Sequence, residues 1–155
     1  VGQVISFIKV TPEELDRAEA DPEFAERLLE DENRAEADPD GYLDKAWAGI
    51  EYLLDGAGFG LEFLMDGGLI DEEGTMFSWP PESVRELSER FGKLPFERLS
   101  AHFDPEAMTS AEVYPGVWGD DGDDLAYLES YYAGLVAFFE DAAASESAAV
   151  MSFTF

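Results

Sequence analysis

Val4-Ile5-Ser6-Phe7-Ile8-Lys9-Val10 (VISFIKV) and Ala148–Phe155 (AAVMSFTF) stand at opposite ends of a 155-residue chain. The first is β-branched and aromatic, and the second alternates well enough for a strand. A strand at each end, with helical patterns between, predicts that the two termini pair within one small sheet. The class that follows is α+β, helix-rich, in a single domain over residues 1–155. No internal repeat and no linker long enough to divide domains is present.

Working inward from VISFIKV, Thr11-Pro12-Glu13-Glu14 matches a capping box with proline at the first helical position. Asp21-Pro22 repeats the start signal, and Phe24, Leu28 and Leu29 follow at helical spacing. The acidic tail from Glu30 to Asp40 ends in an Asp38-Pro39-Asp40-Gly41 turn. Asp44 then reads as the N-cap of a helix that turns Trp47, Ile50 and Leu54 to one face and stops at Gly56. Residues 56–78 are punctuated by glycine, with a short element around Leu61–Met65 and a loop through Asp66–Thr75. Pro80-Pro81 opens a helix with Val84, Leu87 and Phe91 inward, closed by Gly92. Pro95 and Asp104-Pro105 open two shorter ones. Leu128, Tyr132, Leu135, Phe139 and Ala142 form one buried stripe along a last long helix, about Asp124 to Ala144.

Composition bounds the function. The hydrophobic share of 46% is that of a globular chain rather than a disordered one. No run of about 18 apolar residues occurs, so no membrane span is expected. The start VGQVISFIKV lacks a basic leader, which reads against a secretory signal. Cysteine is absent. That removes disulfides and thiolate chemistry, and fits a cytoplasmic protein.

Charge is the loudest global signal: 36 acids against 9 bases give −27. Residues 11–40 hold 13 acids and 3 arginines, and no lysine or arginine follows Arg98. Such a chain repels phosphate backbones, which disfavours nucleic acid as a partner. General solubility is the plain role for so many acids. Steering of a basic protein partner is the sharper one, and mimicry of nucleic acid a third.

A further acidic stretch, Tyr114–Asp124, YPGVWGDDGDD, sets four carboxylates beside two large aromatics. Tyr114-Pro115-Gly116-Val117 suits a type II turn, and Asp123 or Asp124 can cap the helix beyond. A calcium loop fails here. Counted from Asp121, the fifth place is Leu125, which has no side-chain oxygen. Counted from Asp120, the third place is Gly122.

Other catalytic patterns are incomplete. His102 is the single histidine, too few for a zinc site, and Ser100 lies on a different helical face from it. No G-x-S-x-G elbow occurs, and Gly56-Ala57-Gly58-Phe59-Gly60 is neither G-x-G-x-x-G nor a P-loop. The more selective acids are those set among apolar residues: Asp44, near Trp47, and Glu112, within SAEVYPGVW. A carboxylate held near aromatics has its pKa raised unless paired, and Lys45 is one of only three lysines. The plain alternatives are a cap for Asp44, a surface lysine, a backbone bond for Glu112, and core packing for Trp47, Tyr114 and Trp118.

These segments carry a likeness. VISFIKV leading into TPEELDRA, LDKAWAGIEYLL, PPESVRELSERF with LPFERLSAHFDP, and AEVYPGVW ahead of LAYLESYYAGLVAFFEDAA together resemble the YfbM-like bacterial proteins, a domain of unknown function. The likeness extends over nearly the whole chain, and implies an α+β cytosolic bacterial domain without supplying an activity. It marks Asp44, Lys45 and Trp47 in DKAW, and Glu112, Tyr114 and Trp118 in and around YPGVW, as a candidate binding surface.

The leading expectation is therefore a non-enzymatic binding or interaction module. Trp47, Tyr114 and Trp118 would form its site, with Asp44 and Glu112 as polar orienters. Its partner would be an unidentified small molecule or protein, a basic one on charge grounds. No residue is assigned to catalysis, to a metal or to a cofactor. One alternative is an acidic inhibitor or immunity-type protein for a basic enzyme. Another is a carboxylate-dependent hydrolase with a divalent cation near Asp120–Asp124 or Asp44.

Overall fold

The computed structural model describes residues 2–119 and 122–155. Strand β1 (Val4–Val10) runs directly into helix α1 (Pro12–Ala20). The junction is the reciprocal capping box read from the sequence. Glu14 N–H donates to Thr11 Oγ1 at 3.1 Å, and Thr11 N–H to Glu14 Oε1 at 2.9 Å. Asp21 accepts from the Glu23 N–H and opens α2 (Pro22–Leu29). A single turn, α3 (Glu32–Ala35), follows. From it Arg34 reaches back to Glu14 at 2.6 Å and to the Lys9 carbonyl at 3.2 Å, tying the acidic segment to the first strand and helix.

Beyond the cis Asp38-Pro39 peptide comes β2 (Gly41–Asp44), then α4 (Trp47–Gly56), β3 (Gly68–Leu69) and β4 (Met76–Trp79). Helices α5 (Pro81–Gly92), α6 (Phe96–Ser100) and α7 (Pro105–Ser110) start at the prolines, as expected, with Asp104 capping the last of them. The long α8 (Asp124–Ala144) leads to β5 (Ala148–Thr154).

The five strands are antiparallel in the order β2-β1-β5-β4-β3. The two terminal strands lie side by side at its centre, in unbroken register from Val4↔Thr154 to Val10↔Ala148. Because side chains alternate along a strand, the sheet serves two cores. Ile5, Phe7, Phe77, Trp79, Ala149 and Met151 face α4, α5 and α8. Ile8, Val10, Met76, Ala148 and Val150 face α1 and α2. The larger core centres on Phe7, whose ring lies 5.2 Å from Phe139, 5.7 Å from Trp79, 6.0 Å from Phe138 and 6.2 Å from Phe63. The stripe read along α8 is buried throughout, and Phe138 joins it. Among the described residues no helix is long and apolar enough to cross a membrane.

Three strands depart from the sequence reading. β2 lies where a turn led straight into a helix, β3 lies within the expected loop, and β4 lies in the glycine-punctuated stretch. Each has a physical reason to be quiet. β2 is an edge strand of four residues with Tyr42 exposed. Its Gly41 is required by packing, since a Cβ there would stand 2.5 Å from the Phe7 carbonyl oxygen. β3 is two residues long, and β4 is buried on both faces, so neither shows an alternating pattern.

Replacing Phe7 with alanine removes the ring at the centre of the larger core and is expected to cost about 3–5 kcal/mol in urea unfolding. Thr11→Ala, which removes one side of the capping box, is expected to cost about 1 kcal/mol. Equal losses for the two variants would contradict the placement of Phe7.

Candidate functional site

Helix α4 begins at Trp47, with Ala46 at the cap position and no side-chain capping bond. Ala48, Glu51, Tyr52 and Asp55 recur at i, i+3, i+4 and i+7 and share one face of it. That face looks onto Val113 and Tyr114, and with Leu61 and Glu62 the two sides enclose a cleft of about 360 Å³.

The opposite wall is shaped by the turn after α7. Tyr114-Pro115 is a cis peptide and the Gly116 N–H donates to the Val113 carbonyl at 2.7 Å. With proline third in the turn, this is type VI and not the expected type II. The turn lays the Tyr114 ring beside Trp47, with centroids 6.2 Å apart and planes at 21°. Both polar tips then converge on one residue. Trp47 Nε1 donates to the Gln3 carbonyl at 3.0 Å, and the Gln3 N–H donates to the Tyr114 hydroxyl at 2.8 Å.

Glu51 is the acid set deepest in this cleft. Its Oε1 accepts from the Phe63 N–H at 2.7 Å. Burial pushes its pKa up; the Phe63 bond opposes this, and the charges of Glu62, Asp66 and Asp55 push it further up.

A second cleft of about 280 Å³ opens on the other side of the same turn, between Lys45, Pro115, Val117, Trp118 and Tyr127. Trp118 is buried, its Nε1 donating to the Val113 carbonyl at 2.9 Å. Its ring passes so close to α4 that a Cβ at Gly49 would lie 2.6 Å from it and 2.7 Å from Leu128. The helix crossing thus depends on that glycine.

The structure divides the residues singled out in the sequence. Trp47 and Tyr114 share the first cleft, while Lys45 and Trp118 line the second. Asp44 is not a helix cap. It ends β2 with φ 51° and accepts from the Tyr42 hydroxyl at 3.3 Å and the Tyr127 hydroxyl at 3.1 Å. Burial raises the pKa of Tyr42, Tyr127 and Tyr131, and the Asp44 charge raises each further. Asp44 therefore ties the edge strand to α8.

Glu112 is exposed, with φ 57° just beyond α7, and lines neither cleft; its SAEVY neighbours made it look more enclosed than it is. Asp123 holds the cap position of α8, where its carbonyl accepts from the Tyr127 N–H, and Asp124 accepts from the Gly119 N–H of the preceding loop. Asp120 and Asp121, named for a cation, lie outside the described residues. Among the described residues no group of three or more acids or histidines is placed to hold a metal ion. His102 is exposed after α6, and the Ser100 hydroxyl donates to the Glu97 carbonyl at 3.0 Å.

Glu51 and Tyr52 were missed in the sequence, although the signal was present: they fall four and five residues after Trp47 in WAGIEYLL. What could not be read there is the Gln3 clamp, which uses main-chain atoms.

Residues 1–152 match the family described as "Domain of unknown function (DUF1877)", and the chain belongs to that family. Its fold is similar to that of the crystal structure of YfbM, a protein of unknown function from Escherichia coli. The TM-score is 0.73 at 15% identity, over 97% of this chain and 99% of the other. No curated protein matches the sequence.

Glu51→Gln tests the electrostatics of the first cleft. A raised folded-state pKa means that the native state holds the proton more tightly than the unfolded chain. That stability is full below the ordinary glutamate value of 4.5 and is lost as pH rises through the folded value. Glutamine keeps an acceptor for Phe63 and never ionises. The variant is therefore expected to melt above the parent at pH 7, with the gain vanishing in acid below 4.5. Melting curves across that range check it, and a gain that persists in acid would contradict it.

Proposed function

We propose that this family member is a binding module rather than an enzyme, and that its ligand site is the cleft between α4 and the Tyr114 turn. One observation carries the reading. Trp47 and Tyr114 have both polar tips held by the Gln3 backbone, so the pair forms a pre-set wall at the mouth of a concave surface. Rigid aromatic walls reduce the ordering cost of binding, and a few convergent polar groups then orient what enters. Those groups are Glu51, Asp55 and Glu62 in place of the Asp44 and Glu112 expected from the sequence. The volume suits a small organic molecule or one side chain of a partner. Among the described residues that line the cleft no nucleophile is paired with a base, which supports binding over catalysis.

Charge favours a second reading, an acidic protein that docks on a basic one. Among the described residues the ion pairs engage only Asp141, Glu14 and Asp31, against 36 acids in the chain. Association by that route is spread over many exposed charges and weakens steeply as salt rises.

Fragment screening by NMR is the direct test, with Ala48→Phe as the blocking variant. Ala48 lies on the cleft face of α4 and is only partly buried, so a larger side chain fills the cleft without entering the core. Shifts at Trp47, Tyr52 and Tyr114 that disappear in the variant are expected. Hits confined to the Trp118 cleft, or unchanged by Ala48→Phe, would overturn the reading.

A further inference from the structure

Resting on that reading of the cleft, we infer that its ligand is an organic monocation, a guanidinium or ammonium head on an alkyl stem. The wall chemistry points there. Three carboxylates, Glu51, Asp55 and Glu62, meet three aromatic rings, Trp47, Tyr52 and Tyr114, and no lysine or arginine lines the cleft. Aromatic faces attract cations through their quadrupole, and carboxylates attract them by charge. Either group alone is common on protein surfaces; here they line one concave space whose aromatic wall is clamped in place.

The polar tips of Trp47 and Tyr114 add no competing polarity. Trp47 Nε1 and the Tyr114 hydroxyl are both engaged by Gln3, and what those residues present beyond that clamp is ring. Glu51 has one oxygen held by Phe63, and the charges around it are of its own sign: Glu62, Asp66 and Asp55. Among the described residues no ion pair engages that group. Lys9 and Arg34, the cations that form ion pairs among the described residues, are bound to Asp141, Glu14 and Asp31 elsewhere. An incoming cation relieves the repulsion around Glu51 while its stem covers Leu61 and Val113. A neutral ligand of the same shape gains only the second effect.

The test compares shape-matched probes that differ in charge. N-butylguanidinium and neutral N-butylurea are titrated into the full chain at fixed ionic strength, followed by melting temperature and by NMR shifts. The guanidinium is expected to raise the melting temperature and shift Glu51, Tyr52 and Tyr114, while the urea does neither at the same concentration. Glu51→Gln is expected to weaken guanidinium binding by about tenfold without loss of stability, and Asp55→Asn, at an exposed position, to weaken it less.

Equal binding of the urea would overturn the cation inference and leave the cleft as the site. Guanidinium binding that survives Ala48→Phe would show charge attraction without a site, and also overturns it. A parallel pair, acetyl-Gly-Arg-Gly-amide and its citrulline counterpart, assigns the source. Tighter binding of the arginine peptide than of butylguanidinium supports a basic side chain of a protein partner, and weaker binding supports a free small cation.

Discussion

The pairing of β1 with β5 is the constraint on which the rest of this molecule hangs. It joins Val4 to Thr154 and Val10 to Ala148, the two ends of the chain, and links the β2 edge of the sheet to the β4-β3 edge. β2 attaches to its β1 side and β4 to its β5 side. Phe7, projecting from the middle of that pair, gives α8 a ring to close on, and α8 in turn supplies Phe138 and Phe139. The opposite face receives α1 and α2, with Ala18, Ala25 and Ala148 small enough to let them lie close.

The cleft follows from the same frame. Gln3 directly precedes β1, so its backbone position is set by the central pair. Trp47 and Phe153 meet edge to face at 5.8 Å, which anchors the start of α4 against β5. Tyr114 arrives from an unrelated segment and is held by one hydrogen bond to the main chain. The candidate site is thus assembled where three distant parts of the chain meet, and its geometry belongs to the fold and not to a local motif. Asp44 plays a related structural part on the neighbouring edge, where tyrosines from β2 and α8 share one carboxylate.

What was legible in the sequence was local. The capping box at Thr11, the proline starts and the stripe along α8 each depend on residues within a few turns of one another, and each stands as read. The terminal strands were legible because both are seven residues long, the first β-branched and aromatic and the second alternating well enough. β2, β3 and β4 were not, because an edge strand of four residues, a two-residue strand and a strand buried on both sides carry no period to find. The site shows the same division. Trp47 and Tyr114 stood out by type, whereas Asp44 and Glu112 were chosen for apolar neighbours in sequence, and neither lines the cleft that Trp47 and Tyr114 share. The acid that meets the aromatics of the cleft is Glu51, on the helical face that Ala48 begins, while Asp44 is taken up by the tyrosines of β2 and α8.

The hold on the two rings by residue 3 has a bearing on how such a site drifts between relatives. The contacts are made by an amide and a carbonyl, which nineteen of the twenty amino acids would supply equally; only proline lacks the N–H. Position 3 is thus free to vary while the wall it positions stays put. A search that looks for shared side chains would pass over the residue that sets the width of the opening.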